Sequence, residues 1–176
     1  MRKNRLLALA LLLPLLSFGQ DSTHKITLLD GKVEFMISNR MQPMSDEVFK
    51  KLIGTNRPIL MMSDSASAIT FFVDQTSMPA TDDQMAAFAL YQYQDLRKKY
   101  PDTEFPPHPH GTVTVNGKKL AFLKFVSHYY GYPGFTTSYF ASVDGKILGF
   151  SLNCHQPRQS TAEPIMENLI KTLKIK

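Results

Sequence analysis

His108-Pro109-His110 sets two imidazoles two residues apart, and neutral imidazole is a common ligand for zinc, copper and nickel. Two ligands do not make a centre. A structural zinc site needs four and a catalytic one usually three, so His128, Cys154 or His155 would have to converge from other parts of the chain. Without them the pair reads as exposed side chains of a Pro-rich loop, residues 105–110, leading into a strand. Cys154 beside His155 suggests a nucleophile and its base, but successive residues of a strand point to opposite faces and do not easily share a proton. Cys154 shares parity with Leu148, Phe150 and Leu152, which makes it a small core residue. The sequence holds no G-x-S-x-G elbow, H-E-x-x-H helix, Gly-rich phosphate loop or EF-hand loop. The chain is therefore read as a non-enzyme that needs no cofactor.

Recognition by contact is better represented. The segment HYYGYPGF, residues 128–135, gathers Tyr129, Tyr130, Tyr132 and Phe135 around Gly131 and the turn pair Pro133-Gly134. Exposed tyrosines supply large, stiff contact area with a polar tip, and connections between strands lie at the surface. The competing reading is that these rings cap the end of a sheet. Because the Pro-rich loop precedes the same central hairpin, His108 and His110 are candidates to line one groove with the tyrosines. The leading expectation is a protein-binding surface; the alternative is a metal or small-ligand site using His108 and His110.

Hairpins and helices must position these residues. Asp30-Gly31, Asn116-Gly117 and Asp144-Gly145 each separate two runs of β-type residues, and such pairs accept the positive φ of a tight hairpin turn. They predict hairpins over 25–37, 112–128 and 135–154; a fourth joins 59–62 to 68–74. Thr81 with Gln84 forms a capping box for a helix stopped by Pro101, with Met85, Ala89, Tyr93, Leu96 and Tyr100 on one face. Ser160 with Glu163 predicts a second box, opening a final helix that buries Ile165, Leu169 and Leu173. A short helix runs from Ser45 to Gly54. Strands in antiparallel pairs rather than in alternation with helices predict an α+β fold: a single antiparallel sheet built from hairpins and flanked by helices. The run 118–128 is apolar at both parities, which predicts a central strand covered on both faces.

The first twenty residues, MRKNRLLALALLLPLLSFGQ, join a basic start to an apolar run and then to the small residues Ser17 and Gly19. That pattern reads as a signal peptide over residues 1–19, with one domain over 20–176. The run falls short of the ~20 apolar residues a bilayer span needs, so an exported product without a stable membrane span is expected. The 176-residue chain carries +5 formal charge, but Arg2, Lys3 and Arg5 belong to this leader, leaving 17 basic against 15 acidic side chains. So small an excess argues against nucleic acid as a partner. With one cysteine, stability rests on the core rather than on intrachain disulfides.

Three strings carry a resemblance: LLDGKVEFMISNRMQPMSDEVFKKL over 28–52, VNGKKLAFLKFVS over 115–127, and SYFASVDGKILGFSLNC over 138–154 followed by a helix ending in TLKIK. Together they resemble the bacterial PsbP-like family of exported α/β/α sandwich proteins, related in fold to the photosystem II extrinsic subunit, a nuclear Ran-binding protein and DcrB-type periplasmic proteins. The resemblance implies a periplasmic or secreted binding, adaptor or assembly domain without catalysis. It carries over no site residue, because its signals are turns, buried strands and a terminal helix.

Overall fold

The computed structural model describes residues 22–52, 58–128 and 132–176; the leader over 1–19, Gly54, Tyr129 and Tyr130 lie outside the described residues. The chain runs β1 (Thr23–Leu28), β2 (Val33–Ser38), β3 (Gln42–Pro43), α1 (Asp46–Leu52), β4 (Leu60–Ser63), β5 (Ile69–Pro79), α2 (Met85–Lys99), β6 (His110–Val115), β7 (Lys118–Ser127), β8 (Gly134–Val143), β9 (Lys146–His155), α3 (Gln159–Thr172) and β10 (Lys174–Ile175). The predicted turns form where the residue pairs place them. Asn116 and Gly117 take φ of 48° and 80°, Asp144 and Gly145 take 51° and 73°, and the flanking residues pair as Val115 with Lys118 and Val143 with Lys146. Positive φ at both central positions gives these two-residue loops the twist of the strands they join.

The strand pairings are antiparallel, but they divide between two sheets. Seven strands lie in the order β3-β4-β5-β9-β8-β7-β6, while β1 and β2 form a separate sheet with β10. The single sheet expected from the hairpins is thus split. The reason is visible in β2, where Val33, Phe35 and Ile37 are all buried against the main core. This hairpin is a layer laid over the large sheet, not an extension of its edge. The run 118–128 is also relocated: β7 is next to the edge strand β6, and β9 holds the centre of the order. Its apolar residues at both parities record cover on both faces. Leu120 and Val126 join the main core while Ala121 packs under α2.

Helix α2 begins through a 3-10 turn at Asp82–Gln84, with the Thr81 N–H donating to Gln84 Oε1 at 2.9 Å, as the capping box requires. Its buried residues are Met85, Phe88 and Ala89, packed on Ala121, Ile147 and Phe140. Tyr100, expected on that stripe, lies past the last helical residue and is 43% exposed. The second predicted box is not where α3 starts. A 3-10 turn over Gln156–Arg158, with Pro157 near its start, launches the helix one turn earlier, so Ser160 and Pro164 fall inside it. Pro164 therefore gives up the bond to the Ser160 carbonyl, a loss tolerated because Ala162, Ile165, Met166, Leu169 and Ile170 bury the helix.

The large sheet has helices on both sides. One face carries α3 and β2 over the principal core, in which Phe35 meets Phe71 and Phe150 edge-on at 5.9 and 6.0 Å. On the other face, α2 covers the β6–β7 side, and Phe49 of α1 packs with Met44, Met61 and Phe72 at the β4–β5 side.

Candidate functional site

Between these two helical supports, part of the sheet face is left open. Ile147 of β9 and Phe140 of β8 lie under α2. Farther along the same face the side chains become Ser151 and Asn153 on β9 and Ser138 and Thr136 on β8. Cross-strand register turns them into two rows: Phe72, Ser151, Ser138 and Leu123, then Thr70, Asn153, Thr136 and Phe125. The result is a concavity of about 510 Å³ with a hydroxyl and amide floor and aromatic flanks at Phe72 and Phe125. Small polar side chains at mid-sheet positions create it, since a Leu or Phe at Ser138 or Ser151 would fill the space.

The floor is ordered by its own hydrogen bonds. Ser138 Oγ and Ser151 Oγ lie 2.8 Å apart, and Thr136 Oγ1 donates to Asn153 Oδ1 at 2.7 Å. The second bond takes one of the two acceptor positions of the Asn153 oxygen, so the amide can offer a ligand its Nδ2 donors and one further acceptor position. At the rim, Tyr132 is 68% exposed and stacks on His155, with ring centroids 6.0 Å apart and planes inclined by 26°. The Gln156 N–H donates to the Pro133 carbonyl at 2.9 Å and ties the connection to the end of β9. A large exposed ring held this way loses little freedom on contact, which favours its use in recognition.

The sequence-predicted residues separate. Tyr132 stands at the rim. Phe135 does not: it is 1% exposed in the principal core, opposite Cys154 and Val126, because its parity on β8 points to the face under α3. Its ring caps the core and does not stand at the groove rim with Tyr132. His110 faces α2, its ring 4.5 Å from that of Tyr93. His108, at φ 51°, lines a cavity on the opposite side of the sheet with Phe122, Lys124 and Tyr139. The two imidazoles therefore do not converge. His128 Nε2 instead lies 2.9 Å from Glu104 Oε1, and no group of three or more His, Cys, Asp or Glu able to hold a metal occurs among the described residues.

Cys154 lies in the core as its parity predicts, 6% exposed, and burial, aided by the charge of Glu163, pushes its thiol up to about 11. A nucleophilic cysteine needs the opposite displacement. The groove residues Thr70, Thr136, Ser138, Ser151 and Asn153 were missed by motif reading. Their signal was small polar residues recurring at one parity of buried strands, Thr136 and Ser138 in FTTSY and Ser151 and Asn153 in LGFSLN.

No protein-family model and no curated protein sequence matches the chain. Solved structures match it in shape. Cyanobacterial PsbP (CyanoP) from Synechocystis sp. PCC 6803 superimposes with a TM-score of 0.60 at 11% identity, covering 90% of this chain and 95% of that one. LpqN of Mycobacterium tuberculosis, described as involved in cell envelope biogenesis, gives 0.59 at 10% identity, over 88% of this chain and 91% of that one. The Saccharomyces cerevisiae Ran-binding protein Mog1p gives 0.58 at 9% identity, over 88% and 95%. The chain has the PsbP-like fold, an α+β sandwich. At such identities the likeness is one of fold, and function has to be argued from the site.

Proposed function

We propose that this protein is an exported, non-catalytic recognition domain that binds a protein partner across the open half of its large sheet. The observation that carries the reading is the groove of about 510 Å³ with Tyr132 exposed on its rim. Its lining of hydroxyls, one carboxamide and phenyl rings suits a neutral, hydrogen-bonding partner surface more than a polyanion. The near-balanced charge outside the leader supports the same choice. Ser138 and Ser151 bond each other rather than a base, and the Cys154 thiol is held protonated, so neither the two hydroxyls nor the thiol is activated as a nucleophile. Among proteins of this fold, one is described as Ran-binding and another as acting in cell envelope biogenesis, which supports recognition in the envelope as the role here.

Site-specific photocrosslinking in the native cells tests this. A photoreactive residue at Tyr132, which stacks on the lining residue His155, and one at Thr70 in the lining are expected to trap the same envelope protein. One at Glu167, exposed on α3, is expected to trap none. Thr136→Arg, which fills the floor with a charge, should abolish both adducts. Equal trapping from Glu167, or adducts insensitive to Thr136→Arg, would refute the groove as the recognition surface.

A further inference from the structure

The opposite side of the large sheet holds a second cavity, of about 370 Å³, between the Pro-rich segment, β7, β8 and the start of α3. One part of its wall is apolar, formed by Pro107, Val113, Phe122, Phe135 and Tyr139, with the Phe122 and Tyr139 rings 6.0 Å apart, and Gln159 adds a polar group at the start of α3. Into this setting the chain places one cation and one anion. Lys124 Nζ of β7 lies 3.2 Å from Glu163 Oε1 of α3, and each side chain is more than two-thirds shielded from solvent. Thr137 lies directly across from Lys124 and on the same strand face as Phe135 and Tyr139. Its Oγ1 is buried with no hydrogen-bond partner. His108 borders the opening, held at φ 51° between two prolines, a backbone conformation costly for a side chain of its kind.

An isolated ion pair that is only partly shielded contributes little to stability, and an apolar pair of similar volume would seal the cavity better. What the pair offers is a fixed dipole in an apolar recess. A small molecule carrying its own adjacent ammonium and carboxylate can lie head-to-tail against it. The ligand carboxylate then meets Lys124 and the ligand ammonium meets Glu163, making a ring of four alternating charges in which each ion keeps a partner. The apolar body of the same molecule would fill the space between Phe122, Tyr139 and Pro107. We infer that this cavity binds a small zwitterion with an apolar side chain, the chemistry of a free aromatic or branched α-amino acid. The site is independent of the groove and needs neither His110 nor a metal.

L-phenylalanine is the probe, titrated into the full chain while backbone amide shifts are followed by NMR. The expected result is saturable binding with Kd of about 1 mM or tighter, with shifts centred on Phe122, Lys124 and Tyr139. Phenethylamine and 3-phenylpropionate each carry one of the two charges and should bind the unaltered protein at least about tenfold more weakly. Lys124→Met and Glu163→Gln should each weaken L-phenylalanine by about tenfold, and exchanging the charges in a Lys124→Glu, Glu163→Lys double variant should restore affinity to within about threefold. No saturable shift, shifts centred elsewhere, or equal binding of the singly charged analogues would overturn the inference, the last without any variant having to fold.

Discussion

Phe135→Ala distinguishes the two readings of the aromatic segment, because Phe135 and Tyr132 are three residues apart in sequence and opposite in environment. Phe135 is 1% exposed, set between Val126 on β7 and Cys154 on β9 in the principal core. Truncating a buried phenylalanine costs about 3–5 kcal/mol, from lost transfer free energy plus the cavity left behind. In a domain of this size each kcal/mol lowers the midpoint by about 2–4 °C, so a fall of roughly 6–20 °C is expected. Tyr132 is 68% exposed and rests on one exposed imidazole, so Tyr132→Ala should change stability by no more than about 0.5 kcal/mol. Urea unfolding followed by far-UV circular dichroism measures both, and an unchanged m-value confirms that native-state stability is what moved. A cost below about 1 kcal/mol for Phe135→Ala, or above about 2 kcal/mol for Tyr132→Ala, would refute the assignment of one ring to the core and the other to the rim.

Cys154, with its thiol at about 11, should react with a disulfide reagent at pH 7 more than about a hundredfold slower than free cysteine, and at the ordinary rate once the chain is unfolded in urea; prompt native labelling would contradict its burial. Glu34 is held down to about 2 by hydrogen bonds from Lys25 and Lys176, below its usual 4.5, with charge attraction adding to them. A carboxylate lowered on folding stabilises the native state above pH 4.5, and that contribution is lost as pH falls from 4.5 towards 2. Glu34→Gln should therefore flatten the acid limb of the stability curve, with the difference shrinking in high salt; an unchanged acid limb would show the clamp to be inert. Ser151→Ala should cost about 1–3 kcal/mol by stranding the Ser138 hydroxyl, while Ser138→Ala with Ser151→Ala should cost less than the sum, a coupling that a double-mutant cycle in urea reads directly. Mass spectrometry of the chain recovered from the cell envelope should find Gln20 at its N-terminus if residues 1–19 are a cleaved leader; an N-terminal Met1 would refute that reading.

What the sequence made legible followed the range of the forces involved. Asn116-Gly117 and Asp144-Gly145 act within two residues, so their hairpins form at the predicted positions. Thr81 and Gln84 likewise bond within one turn. Ser160 and Glu163 presented the same local pattern, yet the turn containing Pro157, two residues past the end of β9, had already started α3. The competing signal was equally local and came first along the chain. The failures lie where two distant segments had to meet. The β1–β2 hairpin contains nothing that says whether its apolar side joins a sheet edge or covers a sheet face; pairing of Glu34 with Lys174, 140 positions away, decides it. His108 and His110 looked like one site because they are neighbours, while the change from Pro-rich loop to strand sends them to opposite sides of the sheet.

The same physics explains why the groove was not read as a motif. A catalytic constellation announces itself through reactive residue types at constrained spacing, whereas Ser138, Ser151, Thr136 and Asn153 are ordinary residues made into a site by register alone. Along β9 the parity that faces the principal core runs Leu148, Phe150, Leu152 and Cys154 without interruption. The other parity is apolar only at Ile147, where α2 sits, and turns polar where the helix no longer covers it. A strand whose two faces diverge part-way along its length marks the edge of a covering layer. On a seven-stranded sheet bearing helices at both sides of one face, that edge is where a partner can reach the sheet.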